Sequence, residues 1–314
     1  MKNRKRFFCI FFIVVIVFSI ITTFSYDNII KQKSKKKFLI GMSQANLYEP
    51  WRVYMNKEIQ DEAEKHDDIQ MIFKDAGGDT EKQKKDINDL INFDIDLLII
   101  SINDSKELTQ AIKEAYKSIP VIVLDRDVEG YDYSLYIGPE TKTIGEEAGN
   151  LVADLSEGRN VKVVEIQGLL NSSPDMEMTE GFKKSIKNHK NISINMTIVA
   201  NWQKYEAQDK VQELLDQNED IDVIFAHSDY MALGAYYALR ASDKKDVIII
   251  GVDGLQGEEG GIDLVRKGIL DGTFTCETGG KQAIEYAIRI LNNEQDLPKK
   301  VLMECHKITK DSLK

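Results

Sequence analysis

Three cysteines in 314 residues, at positions 9, 276 and 305, are too few and too scattered for a disulfide framework. None forms a CxxC pair, and His66, His189, His227 and His306 stand apart, so no metal-ligand set occurs at its usual spacing. Cys276 and Cys305 are left as either one disulfide or two free thiols. Nucleotide and acyl-transfer motifs are missing too. The first strand-to-helix turn reads Ser43-Gln-Ala-Asn-Leu-Tyr-Glu-Pro50, without GxGxxG, and no GxxxxGK[ST] occurs. Residues 168–172, Gly-Leu-Leu-Asn-Ser, do not form a GxSxG elbow. A formal net charge of −11 removes the basic footprint that nucleic acid requires. These absences point to a protein that binds rather than catalyses, without cofactor, metal or nucleic-acid partner.

The N-terminus carries the longest apolar run. Lys2, Arg4, Lys5 and Arg6 precede an uncharged stretch over 7–24. About 18 apolar residues can cross the hydrocarbon core, and basic flanks stay cytoplasmic. A cleaved signal peptide competes with that reading, but residues 22–26, Thr-Thr-Phe-Ser-Tyr, offer no good small-x-small site. Cys9 sits in front of most of the run, not behind it as in a lipoprotein. Residues 1–37 are therefore expected to be a cytoplasmic tip, a single-pass anchor and a Lys-rich tether. The rest of the chain would lie outside the cell membrane.

Beyond residue 37 strand and helix signals alternate. Strands are expected over 38–43, 69–74, 96–101, 120–124, 161–167, 192–199, 222–226 and 247–252. Helices are expected between and after them, over 51–65, 81–92, 105–116, 143–155, 176–188, 206–218, 230–240, 257–267 and 282–291. Asp79 and Ser105 read as helix caps. Such alternation predicts an α/β fold of parallel sheets covered on both faces, and its length predicts two lobes. Gly138-Pro139-Glu140 interrupts the pattern and reads as the first crossover between them.

Three of the strands end in a carboxylate. They are 119–125, closing on Asp125 with Arg126 next, 223–229, closing on Ser228 and Asp229, and 247–253, closing on Asp253. Ligands of open α/β sheets bind outside the carboxyl ends of the strands. A carboxylate there accepts from adjacent hydroxyls and a guanidinium donates a planar fork, so these acids and Arg126 suit a neutral polyol better than an anion. Trp51 and Trp202 would cover the apolar faces of a sugar ring. Each residue also has a plainer reading. Asp125, Asp253 and Asp229 fit helix or turn caps, Arg52 a solvated helix position, Trp51 a core staple and His227 a core residue.

From residue 38 to 310 the chain resembles the type I periplasmic sugar-binding proteins, the ribose- and galactose-binding family. The segments that carry the likeness are 38–43 (Phe-Leu-Ile-Gly-Met-Ser), 121–126 (Val-Ile-Val-Leu-Asp-Arg), 163–168 (Val-Val-Glu-Ile-Gln-Gly), 225–234 (Phe-Ala-His-Ser-Asp-Tyr-Met-Ala-Leu-Gly) and 250–254 (Ile-Gly-Val-Asp-Gly), in that order. Residues 43–52 and 73–79 are similar to members that take pentoses or galactose-type sugars, and among these to membrane-anchored clostridial xylose sensors that act beside a sensor histidine kinase. The resemblance implies two Rossmann-like lobes with parallel sheets joined by three crossovers, one lobe from 38–139 with 277–305 and the other from 140–276 with 306–314. It implies a monosaccharide ligand, D-xylose first, and as partner a kinase's extracytoplasmic domain or, in the alternative, the permease of an ABC importer. It implies ligand contacts from Glu49, Trp51, Arg52, Ser101, Asp125, Arg126, Met176, Trp202, Ser228, Asp253 and Glu277. The chain departs from the family at Ser173-Pro-Asp-Met-Glu177, where many relatives carry an arginine. Which of Cys276, Glu277 and Lys281 faces the cleft stays open.

Overall fold

A computed structural model describes residues 38–170, 172–244 and 246–314. The expected anchor over 7–24, its tether and Cys9 lie outside the described residues. Among the described residues no helix is long and apolar enough to cross a membrane.

The chain builds two six-stranded sheets that repeat one plan. The first takes β1 (Phe38–Gln44), β2 (Ile69–Asp75), β3 (Leu97–Ser101), β4 (Val121–Leu124), β5 (Leu135–Pro139) and β11 (Lys300–Met303). The second takes β6 (Val161–Gln167), β7 (Ile192–Val199), β8 (Val223–Ala226), β9 (Ile248–Ile250), β10 (Gly272–Cys276) and β12 (Cys305–Thr309). The strand orders are β2-β1-β3-β4-β5-β11 and β7-β6-β8-β9-β10-β12. Pairing is parallel except between β10 and β12. In each sheet the order reverses beside the first strand, which leaves a crevice at the carboxyl ends of the strands.

Burial explains why these segments are strands. Every residue of β3, β4 and β8 is buried, because both faces are covered. On the first sheet α1 (Pro50–Ala63) and α9 (Gly280–Leu291) supply Met55, Ile59 and Ile284 to one core, while α2 (Thr80–Asn92) and α3 (Ser105–Tyr116) supply Leu90 and Ile112 to the other. On the second sheet α4 (Thr141–Ser156) and α5 (Ser173–Ile186) cover one face with Ile144 and Phe182. There α6 (Lys204–Asp216), α7 (Asp229–Ala241) and the short α8 (Gly261–Arg266) cover the other with Val211, Leu233 and Leu264. Edge strand β7 alternates instead, burying Ile192 and exposing Ser193, Asn195 and Thr197.

Several local expectations change. Asp79 caps α2, accepting from the Lys82 N–H at 3.0 Å. The cap of α3, however, is Asp104, which accepts from the Glu107 N–H at 2.8 Å, and Ser105 is the first helical residue. Strands β5, β10, β11 and β12 were not foreseen. Gly138 and Pro139 belong to β5, so the first passage between sheets is confined to Glu140. The second runs through Glu277–Gly279 and the third through Glu304. Helix α8 starts at Gly261 rather than near Gly257, because Gly254 and Gly257 take positive φ in the loop before it.

Helices α4 and α5 touch backbone to backbone. A Cβ on Gly145 would lie 2.1 Å from the Met178 carbonyl oxygen, and one on Gly181 would lie 2.1 Å from that of Lys142. Backbone cannot swing aside as a flexible side chain can. Gly181→Ala is therefore expected to destabilise the protein by about 1–3 kcal/mol, as overpacking does. Urea unfolding measures it, and an unchanged midpoint would contradict the close approach.

Candidate ligand-binding site

The loops that follow the strands of both sheets enclose a cavity with an empty volume of about 590 Å³, part of it open to solvent. Its walls mix apolar surface with a few polar groups, as small-molecule sites do. Glu49, Trp51, Arg52, Asp125 and Arg126 border it from the first sheet, and Trp202, His227, Ser228 and Asp253 from the second.

Arg52 organises the first wall. Pro50 fixes the first turn of α1 and turns Arg52 inward, where it is 1 % exposed. Its Nε donates to Glu49 at 3.0 Å, one Nη to Gln44 at 3.2 Å and to the Ser101 hydroxyl, and the other Nη to Asp125 at 3.1 Å. Asn46 holds Glu49 in turn, donating to its carboxylate at 2.7 Å. One guanidinium thus ties the ends of β1, β3 and β4 to α1. Glu49 and Asp125 hold its charge, and although burial opposes them the net effect raises its pKa. Ser101 does not border the cavity; it supports Arg52.

Arg126 has no such set of partners. One Nη donates to the Asn103 carbonyl at 2.6 Å and to that of Ile102 at 3.3 Å, while Nε is buried without a partner. Burial and the neighbouring Arg52 push its pKa down to about 10, which leaves it charged at neutral pH.

The second wall rests on a buried polar cluster. His227 Nδ1 lies 2.7 Å from Asp175 and Nε2 lies 3.3 Å from Glu165, the latter misaligned for a hydrogen bond. Burial alone would lower the His227 pKa, but the two carboxylates outweigh it and raise it. Asp175 also accepts from the Gly168 N–H at 2.6 Å. Gly168 has no room for a side chain because the Trp202 indole lies against it, 2.1 Å from where a Cβ would be. Trp202 Nε1, like Arg126 Nε, is buried without a partner. Ser228 caps α7, accepting from the Met231 N–H at 3.1 Å.

The three strand-end acids separate. Asp125 and Asp253 border the cavity; Asp229 does not. Its carboxylate turns away, accepting from the Gly254 N–H and the Thr273 hydroxyl, each at 2.7 Å. It is neither the cap of α7 nor part of the wall, and burial pushes its pKa up to about 7. Met176 is exposed on α5 and borders no part of the cavity. Glu277 points outward and accepts from Gln282 at 3.0 Å. Of the three residues left open at the second crossover, Cys276 faces the cavity. Tyr230, Thr141, Pro174 and Met178 also border it and were not foreseen. The signal for Tyr230 was available, since it follows the Ser228–Asp229 strand end.

Asp125 (φ 66°), Trp202 (φ 62°) and Asp253 (φ 116°) all take left-handed backbone, which costs a non-glycine residue roughly 1–3 kcal/mol. The Tyr136 hydroxyl, donating to the Asp125 carbonyl at 2.7 Å, helps hold the first of them. Such strain clusters where side chains are aimed at ligands.

The profile of the periplasmic binding protein domain family matches residues 40–295. A ribose import binding protein of Bacillus subtilis is 33 % identical over 222 residues, covering 70 % of this chain and 71 % of the relative. Among solved structures, the fructose-binding periplasmic domain of a hybrid two-component system superimposes with a TM-score of 0.83, at 34 % identity over 87 % of this chain and 91 % of the other. An ABC transporter solute-binding protein of Bacillus halodurans with bound myo-inositol gives a TM-score of 0.82, at 25 % identity over 89 % and 97 %.

Asp253 yields a prediction about stability. Burial, then Asp229, Glu49 and Asp125, push its carboxyl well up. A group whose folded pKa lies above its unfolded value near 3.9 destabilises the fold as pH rises past that value. Asp253→Gly removes both that charge and the φ strain. Its unfolding midpoint is expected above the parent's, with a larger gain at pH 7 than at pH 4. Thermal unfolding at the two pH values checks this, and equal midpoints would refute it.

Proposed function

The chain belongs to the periplasmic binding protein domain family, and from that membership we propose that it is an extracytoplasmic monosaccharide-binding protein that senses D-xylose and signals by closure of its lobes. The observation that carries the proposal is the cavity itself. Asp125 and Arg126 face Trp202 and Asp253 across it. Arg126 Nε and Trp202 Nε1 are buried donors without partners. A polyol presents many hydroxyls that accept as well as donate, so one ligand can satisfy both donors and both acids.

In this reading Glu49, Trp51, Asp125, Arg126, Trp202, Ser228 and Asp253 contact the sugar, while Arg52 and Ser101 position Asp125. The closing lobes are 38–139 with 277–304, and 140–276 with 305–314; the last boundary follows Glu304, where the chain leaves the first sheet. The sugar assignment is tested by calorimetry with D-xylose, D-ribose, D-fructose and D-galactose. One site, strongest for D-xylose, is expected. Asp125→Asn and Arg126→Met should each weaken it about tenfold to a hundredfold, the effect of leaving a buried group unpaired at 1–3 kcal/mol. Heat from an amino acid or an anion alone would overturn the reading.

The partner is proposed to be a sensor kinase's extracytoplasmic domain, and the support is the uncleaved anchor read over 7–24, which would hold the chain beside a membrane partner. Relatives of both kinds exist, one named for ribose import and one for a two-component system. An ABC importer is the second reading. A ligand shifts association only through its differential affinity for two states. Cross-linking from membranes should therefore recover the kinase in a sugar-dependent way, and Arg126→Met should shift that response to about tenfold to a hundredfold higher sugar. Recovery of permease subunits alone would favour the importer.

A further inference from the structure

The two cysteines of the described region sit where the chain passes between the sheets. Cys276 is the last residue of β10, just before the second passage, and Cys305 is the first of β12, just after the third. They are register partners in the antiparallel β10–β12 pair, with their sulfurs 3.5 Å apart. The first passage lies beside them, since the Glu140 N–H donates to the Met303 carbonyl at 3.4 Å and Cys305 Sγ approaches the same carbonyl at 3.7 Å. All three connections between the lobes thus meet around this pair.

We propose that Cys276 and Cys305 are a redox site, a dithiol that closes reversibly to a disulfide and staples the second and third passages together. Opposite residues of an antiparallel pair have Cα atoms about 4.5–5.5 Å apart, within the range a disulfide spans. Closing the sulfurs to about 2.05 Å needs only side-chain rotation, not backbone movement. The two thiols are unequal. Cys305 is half-buried, and the hydrogen bond from Cys276 lowers its pKa; the same bond and burial raise that of Cys276. Cys305 is the accessible nucleophile and Cys276 the resolving thiol.

The oxidant is a small-molecule disulfide, for which oxidised glutathione is the probe. The Cys305 thiolate attacks one of its sulfurs, breaks the S–S bond and expels one glutathione thiolate. Cys276 loses its proton to solvent and attacks the Cys305 sulfur, forming the internal bond and expelling the second thiolate. Two cysteine thiols are oxidised and one glutathione disulfide is reduced to two thiols. Because each cysteine borders a passage, the bond ties the adjoining ends of Glu277–Gly279 and Glu304 together and restrains their opening. Cys276 also borders the ligand cavity, so the bond changes its wall.

The test uses the full chain, first reduced, then treated with oxidised glutathione in the absence of any sugar. Peptide mapping is expected to recover a peptide pair joined through Cys276 and Cys305. Hydrogen exchange at 277–279 and 303–305 is expected to slow roughly tenfold as local opening is suppressed. Cys305→Ser should show neither change. In Cys276→Ser, which keeps the nucleophile, a glutathione adduct should persist on Cys305. A lasting adduct on Cys305 of the parent, or bridges only between chains through Cys9, would overturn the redox site. An internal bond with unchanged exchange at the passages would overturn the staple. No sugar enters, so failure here is distinct from failure of the sugar reading.

Discussion

The arrangement of the first lobe depends on one buried guanidinium. Arg52 reaches Gln44, Glu49, Ser101 and Asp125, and so connects three neighbouring strand ends to the helix that carries it. Removing one partner of a buried pair leaves an uncompensated charge, which costs about 3–5 kcal/mol. The network is therefore cooperative, and its members hold their positions together or not at all. It also fixes where two neighbours sit. The Ser101 hydroxyl accepts from Arg52 and does not border the cavity. Asp125 gives Arg52 one carboxylate oxygen and stays at the cavity wall. The adjacent Arg126, excluded from the network, keeps a donor unpaired.

The second wall is built differently. There His227, directly after β8 and bordering the cavity, is held between Asp175 and Glu165. Trp202 and Asp253 are aimed by backbone in left-handed conformations, with the Trp202 indole seated on a glycine. Pre-ordering in the first lobe rests mainly on charge-assisted hydrogen bonds, with left-handed backbone at Asp125 besides; in the second, left-handed backbone and close packing act alongside the His227 cluster.

This difference explains what the sequence made legible. Apolar runs buried on both faces, such as β3, β4 and β8, have no competing reading as exposed structure, and they were found, β4 and β8 with their terminal acids. Three of the four strands that escaped have weak apolar signals. In β10, Gly272-Thr-Phe-Thr-Cys276, only Phe274 is a large apolar residue, and β11 and β12 lie at sheet edges with half their residues in solvent. Within the site, residues directly beyond a strand faced the cavity, as Asp125 does. Asp229 begins a helix, and its side chain turns back to the Gly254 N–H, a contact 25 residues away that no local pattern encodes. Glu277 lost its place to Cys276 through strand alternation, since Phe274 and Cys276 share the buried face. The partnership of Arg52 with Ser101, 49 residues apart, was equally invisible to spacing.

On the sugar reading, these two modes of pre-ordering assign different tasks to the lobes. A polyol meeting the first lobe finds Asp125 and Arg126 already fixed, so little ordering entropy is lost there. What it cannot obtain from that lobe alone is a second apolar plate and a partner for its remaining hydroxyls; Trp202, Ser228 and Asp253 hold those across the cavity. The ligand then contributes free energy to whichever lobe arrangement brings both walls to it, and only to that one. The passages at Glu140, Glu277–Gly279 and Glu304 are the parts of the chain that must bend for the arrangement to change. A covalent bond between Cys276 and Cys305 acts on two of these three, so the chemistry of two sulfurs and the occupancy of the cavity bear on the same motion. By the reciprocity of linkage, any partner that distinguishes the two arrangements is coupled to both.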